Sequence, residues 1–252
     1  MPGRHPIDTV WLPVGSRTAA SLAYCPPVDI ALAVIDLAGT TVRDDGAVEG
    51  AFVEALRSVG DVAGDAPDES LLAFVRSTMG MSKIALFRER LGDEARAQAA
   101  NAAFEEAYAR RVEAGEVDAL PGSEDVFRTL REGGIRVSVT TGFSPATRDL
   151  LLETLGWMDS VDLALSPDGD LRGRPAPDLV LASLLCLRVD DVRAVAVVGD
   201  TVNDLVSGRR AGASILAGVL TGAHDRAALA AAPHTHLLDS IRDVPAALRR
   251  AA

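Results

Sequence analysis

Apolar residues recur along the chain with two different periods. Ile30 to Ile35 (IALAVI) is a short continuous apolar run that ends in Asp36, which reads as a buried strand followed by a small loop, Leu37-Ala38-Gly39-Thr40-Thr41. From about residue 49 to 117 the period becomes helical. Phe52, Leu56 and Val59 share one face, Leu71, Leu72 and Val75 another, and Ile84, Leu86, Phe87 and Leu91 a third; a long polar helix, Asp93 to Val112, carries Phe104 and Tyr108 at an i,i+4 spacing.

Beyond Leu120 short strands alternate with helices. Strands are expected at Ile135–Val139, Val161–Leu165, Ala194–Val198 and Ser214–Leu220, and helices at Asp125–Leu130, Thr147–Leu155, Leu179–Leu187 and Asp204–Ala211. Such alternation specifies an α/β fold with a parallel sheet covered by helices. The helical block then stands as an insertion. This divides the chain into a loosely ordered leader (1–28, with Pro26-Pro27), a core (29–48 and 118–252) and a helical cap (49–117).

In a parallel sheet, ligands bind beyond the carboxyl ends of the strands. Three polar residues fall at such ends, Asp36, Thr141 and Asp200, each with a glycine nearby. An aspartate at a strand end can act as a nucleophile and form an acyl phosphate. Gly39 allows close approach of the backbone to an anion. Asp200 and Asp204, four apart at a strand-to-helix junction, can face one hard cation such as Mg²⁺, which needs few protein carboxylates. A metal with anion donors suits phosphoryl transfer, whose catalysis is largely positioning and charge neutralisation.

Composition narrows the partners. The 252 residues hold 25 Lys plus Arg against 36 Asp plus Glu, a formal net charge of −11, which disfavours nucleic acid and anionic membrane surfaces. No apolar run approaches the roughly 20 residues of a membrane helix. The first 28 residues carry charges and prolines where a secretory signal would be apolar. Two distant cysteines, Cys25 and Cys186, make a disulfide framework improbable and a reducing, cytoplasmic location the expectation. His234 and His236 read as residues of a polar loop. Of the 25 basic residues only Lys83 is a lysine, and an ammonium, unlike a guanidinium, can lose its proton and become a nucleophile.

Four segments in order, Asp36-Leu37-Ala38-Gly39-Thr40-Thr41, Thr140-Thr141-Gly142, Gly173-Arg174-Pro175-Ala176-Pro177 and Val198-Gly199-Asp200-Thr201-Val202-Asn203-Asp204, resemble the motifs of the haloacid dehalogenase superfamily. The resemblance implies a Rossmann-like core with a helical cap inserted after the first motif. It implies Asp36 as nucleophile, Thr141 and Gly142 at the phosphoryl group with Gly39 and Thr40, Arg174 as the basic residue, and a Mg²⁺ site comprising Asp36, Ala38, Asp200 and Asp204. It also implies a homodimer through the cap.

Most phosphatases of that superfamily carry a second aspartate two positions after the nucleophile, to protonate the leaving group. Here Ala38 stands there, as is typical of phosphonoacetaldehyde hydrolases, and Met79-Gly80-Met81-Ser82-Lys83-Ile84 resembles the cap motif of those enzymes, whose lysine forms a Schiff base with the substrate aldehyde. Without the second acid an alkoxide leaving group loses general acid catalysis, worth about 10²–10⁴ in rate. A C–P bond instead needs an electron sink on carbon, which a protonated imine supplies. Ser82 is the expected N-cap, placing Lys83 in a first helical turn where the dipole disfavours added positive charge. Two positions depart from that group: Leu86 replaces a histidine and Phe143 a tyrosine. The implied substrate is a small carbonyl phosphonate. The alternative is a phosphate ester such as a sugar phosphate, hydrolysed without a Schiff base.

Overall fold

The computed structural model describes residues 29–43, 45–62 and 69–249. The proposed leader lies outside them. A six-stranded sheet organises the molecule, built from β1 (Leu32–Asp36), β4 (Arg136–Thr140), β5 (Leu163–Leu165), β6 (Val195–Gly199), β7 (Ile215–Val219) and β8 (His236–Leu238). The spatial order is β5-β4-β1-β6-β7-β8, and every neighbouring pair is parallel. β1 therefore sits in the interior of the sheet, with all five residues buried.

Side chains alternate across that sheet. Leu32 and Val34 enter one core with Val180, Leu205 and Leu216; Ala33 and Ile35 enter the other with Val137, Val139, Phe127 and Phe52. Both faces of β1 are thus covered, which is why its sequence is a continuous apolar run instead of an alternating one. The strand ends one residue later than its apolar run, because Asp36 still pairs in register with Thr140.

Four helices interrupt the sheet after β1: α1 (Ala47–Ser58), α2 (Glu69–Ser77), α3 (Lys83–Leu91) and α4 (Glu94–Glu113). Phe52, Phe74, Phe87 and Phe104, one from each helix, hold them together, with Phe52 stacked on Phe87 at 4.6 Å between ring centroids. Asp93 caps α4 by accepting from the Arg96 amide at 2.8 Å, so that helix starts where the polar face begins. The chain enters and leaves this insert through an antiparallel ribbon of two-residue strands, β2 (Val42–Arg43) and β3 (Asp118–Ala119). Two residues are too few to show a period, and the ribbon is invisible in the sequence pattern.

The remaining helices are α5 (Ser123–Glu132), α6 (Pro145–Thr154), α7 (Asp178–Cys186), α8 (Val202–Ala211), α9 (Arg226–Ala231) and α10 (Val244–Leu248). One local reading changes. His234 and His236 do not share a loop: His236 opens β8, and Thr235 fastens this edge by donating to the Leu216 carbonyl (3.1 Å) and accepting from its amide (2.9 Å).

Candidate active site

β1, β4 and β6 deliver Asp36, Thr141 and Asp200 to one rim of the sheet. Asp36 is the last residue of β1, while Thr141 and Asp200 immediately follow β4 and β6. Asp204, in the first turn of α8, joins them, and one carboxylate oxygen from each of Asp36, Asp200 and Asp204 lies within 4.8 Å of the others. All three acids are buried.

The surrounding backbone fixes the acids. The Thr40 hydroxyl donates to one oxygen of Asp200 at 3.0 Å, and the Ala223 amide donates to the other at 2.7 Å. Gly39 and Gly222 pack on that carboxylate so tightly that a Cβ on either would overlap it. The Thr221 hydroxyl, donating to the Gly39 carbonyl at 2.7 Å, ties the loop after β7 to the loop after β1. Asp204 forms a capping box with Thr201: the Thr201 amide donates to Asp204 Oδ2 at 3.1 Å, and the Thr201 side chain caps α8 in return.

Arg174, in the loop before α7, is 4% exposed. Its Nη1 donates to Asp36 Oδ1 at 2.5 Å and also to Asp204 Oδ1, while its Nε and Nη2 have no hydrogen-bond partner among the described residues. A buried guanidinium with unused donors beside a carboxylate fits an anion that carries more oxygens than the protein supplies.

Burial raises the Asp36 carboxyl well above the ordinary carboxylate range; Arg174 pulls it down, and Asp204 and Asp200 push it up. Burial, then Asp204, raises Asp200 to about 6, against the Ala223 and Thr40 hydrogen bonds. Burial also works against the charge on Arg174, yet Asp204 and Asp36 outweigh it and hold the guanidinium more firmly protonated than usual. Three carboxylates facing one guanidinium leave uncompensated negative charge. The oxygen-only donor set and that charge suit a hard divalent cation.

A cavity of about 350 Å³ opens over this cluster. Asp36, Ala38, Gly39, Thr141, Gly142, Arg174 and Asp200 form its inner end. Ala38 contributes no side-chain donor there. Two expected residues stand elsewhere. Thr40 is fully buried behind Asp200, outside the cavity wall, with its hydroxyl engaged. Asp204 is also absent from the wall, and both its oxygens already accept protein hydrogen bonds. It therefore orients Arg174 and the start of α8 as well as adding charge.

Lys83 comes to the same cavity from the insert. Ser82 holds the N-cap position of α3 in an extended conformation without a side-chain cap bond, and Lys83 is the first helical residue. The loop before it is clamped to the core. The Lys83 amide donates to the Gly142 carbonyl at 3.3 Å, Asn203 Nδ2 donates to the Met79 carbonyl at 2.9 Å, and Met81 bridges the backbone at Arg174. Gly142 packs against the Met81 carbonyl with no room for a Cβ, and Gly80 (φ 78°) turns beside Thr201. Lys83 is 5% exposed, with Nζ 5.7 Å from the centroid of Phe143 and 6.0 Å from that of Phe104. Tyr108 packs tilted against Phe143 at 4.7 Å and stacks on Phe104, so the two rings that wall the amine are themselves backed by α4.

The chain matches the haloacid dehalogenase-like hydrolase model over residues 30–212. It belongs to the haloacid dehalogenase-like hydrolases. Phosphonoacetaldehyde hydrolase of Pseudomonas putida is 34% identical over 104 residues, which cover 41% of this chain and 38% of that one. A Dickeya dadantii protein named "Probable phosphatase IndB" is 29% identical over 219 residues, 84% of this chain and 91% of its own length. Among solved structures, a phosphonoacetaldehyde hydrolase-like protein of Oleispira antarctica superposes with a TM-score of 0.73 at 23% identity, over 88% of this chain and 92% of that one. The family relation makes the chain a hydrolase. Such hydrolases generally use Mg²⁺. Among the described residues no helix is long and apolar enough to cross a membrane.

The sequence reading missed the outer half of the cavity, lined by Arg43, Asp45, Glu49 and Arg76. None sits in a motif, and only the ribbon and α1–α2 packing bring them to the mouth. It also missed the loop Thr221-Gly222-Ala223, whose one legible signal was a glycine just after a strand end.

Proposed function

We propose that this hydrolase cleaves the C–P bond of a small carbonyl phosphonate, with Lys83 as the imine-forming amine and Asp36 as the phosphoryl acceptor. The observation that carries the reading is the shared cavity. The chain's single lysine, walled by Phe143 and Phe104, lines the same space as Asp36 and Arg174, and Ala38 stands where a leaving-group acid would otherwise be. A lysine buried against aromatic rings is desolvated, which is one way an amine is made an imine-forming nucleophile.

The Lys83 amine adds to the substrate carbonyl, and the adduct takes up a proton from solvent and loses water, forming a protonated imine. An Asp36 oxygen then attacks phosphorus as the C–P bond breaks, and the bonding electron pair moves onto carbon to give an enamine. Protonation and hydrolysis of that enamine free Lys83 and a dephosphonylated carbonyl product. Water attacking the aspartyl phosphate releases phosphate and restores Asp36. Arg174, with two unused donors, binds the phosphonyl oxygens, assisted by the Thr141 hydroxyl. Mg²⁺ held by Asp36 and Asp200, with Asp204 nearby, would neutralise charge on the transferring group. The helical insert acts as the cap that excludes water.

Borohydride reduction in the presence of phosphonoacetaldehyde is expected to fix a substrate-derived mass on Lys83 and to stop phosphate release. Absence of that adduct across a panel of carbonyl phosphonates sinks the imine mechanism.

A second reading, a phosphomonoesterase with the same nucleophile and metal, is favoured by the length of the match to the Dickeya protein named for that activity. In that case Lys83→Arg hydrolyses phosphate esters at near-parent rates, whereas the imine route leaves it inactive.

A further inference from the structure

The cavity extends beyond what a two-carbon phosphonate requires. Its volume of about 350 Å³ equals the liquid volume of about twelve waters, and Lys83 is one of its lining residues. Where Asp36, Lys83, Arg174 and Asp200 are buried, the solvent-facing part of the same wall carries Arg43, Asp45, Glu49 and Arg76, from the ribbon, the turn after it and the first two helices of the insert.

These four charges are not equivalent. Arg76 is held in a two-point pair by Glu49, at 2.9 and 3.2 Å, with Glu69 behind it at 3.4 Å, so that pair is satisfied within the protein. Arg43 makes no ion pair or side-chain hydrogen bond among the described residues, although Asp118 is its register partner across the ribbon. It rises from a paired strand, which fixes its base. Asp45 has a short side chain and sits in a left-handed turn (φ 40°) followed by Gly46 (φ 85°). An uncommitted guanidinium on a fixed base, with a planar fork of donors, is matched to a carboxylate.

The geometry points to Arg43 as a specificity-determining residue that receives a carboxylate at the end of the substrate remote from phosphorus. The substrate class is then a phosphonate with a terminal carboxylate beyond its carbonyl. The inference rests on the inner end of the cavity binding the phosphonyl group, but not on C–P cleavage.

The test is calorimetric titration of the full chain with Mg²⁺ present. The probes are phosphonocarboxylates with one to four methylenes between the two acids, alkylphosphonates of equal length, and aminoalkylphosphonates. None carries a carbonyl that could form an imine. The expected result is about tenfold or tighter binding of one phosphonocarboxylate over its alkyl counterpart, the scale of a charged hydrogen bond. Arg43→Gln is expected to erase that preference while leaving alkylphosphonate binding within about twofold, and Arg43→Lys to restore part of it. Arg43 is exposed, so these variants are expected to fold.

Equal affinities at every length, or a preference that survives in Arg43→Gln, overturn the inference and leave the proposed function standing. A preference for the amines overturns it in favour of Asp45. Failure of every phosphonate to bind overturns both together. Loss of the Lys83 adduct alone strikes only the imine mechanism.

Discussion

At the scale of single residues, the site is a set of side chains whose freedom the backbone removes. Asp200 has its two oxygens taken by Thr40 and Ala223, and glycines 39 and 222 press on it from either side. Gly222 has no positive φ among its constraints, so a methyl there acts by displacement of Asp200 alone. Gly222→Ala is expected to raise the Mg²⁺ concentration for half-maximal phosphate release by about 10–100-fold, the usual cost of disturbing a ligand's support; a metal titration of activity reads it directly. The motif residues themselves were legible in the sequence, because Asp36, Thr141 and Asp200 each terminate an apolar run. The partners that hold them were not, because Ala223 and Gly222 lie over 180 residues from Gly39 and carry no side-chain chemistry. Thr40 shows the limit: its place in the motif suggested the substrate, whereas its hydroxyl faces Asp200.

At the scale of elements, the insert depends on an aromatic seam. Phe104 of α4 lies within 6.5 Å, ring to ring, of Phe52, Phe87, Tyr108 and Phe143, and so joins three helices of the insert to the loop after β4. Phe104→Ala is expected to cost about 3–5 kcal/mol of stability, as large aromatic truncations in closed cores do, measured as a shift in the denaturant midpoint. Because Phe104 also walls Lys83, phosphate release should fall even under conditions where the variant remains folded. Helical periodicity located both ends of α4 within a residue. It could not say which aromatic face meets the core, since that depends on how the two-residue ribbon sets the insert on the sheet.

At the scale of the whole molecule, three buried acids at one rim are a built-in cost that a cation relieves. Asp200 is raised to about 6 from an ordinary 3.8, and Asp36 is raised as well, both chiefly by burial. For a carboxyl raised in the folded state, the stability it contributes is complete below the unfolded value and is lost as pH rises through the folded one. Metal-free protein is therefore expected to melt at a lower temperature at pH 7.5 than at pH 5 through this site. Mg²⁺ is expected to raise the melting temperature more at pH 7.5 than at pH 5, because it binds the ionised acids. Thermal unfolding in chelator and in Mg²⁺ at the two pH values measures both, and an identical Mg²⁺ increment at each pH contradicts the linkage.

Sequence alone determined the α/β class, the insertion between β1 and the later strands, the three strand-end polar residues and the singular lysine. Each is a local property: a run of apolar residues, a change of period, a residue type at a boundary. Tertiary structure decided what those residues meet. It set Arg174 between Asp36 and Asp204, turned Thr40 away from the cavity, carried Lys83 across some 47 residues of chain to face Asp36, and assembled a charged mouth from residues with no motif. These contacts arise from packing the insert onto the sheet through the ribbon, and such packing is fixed by surfaces distant in sequence, which no local pattern records.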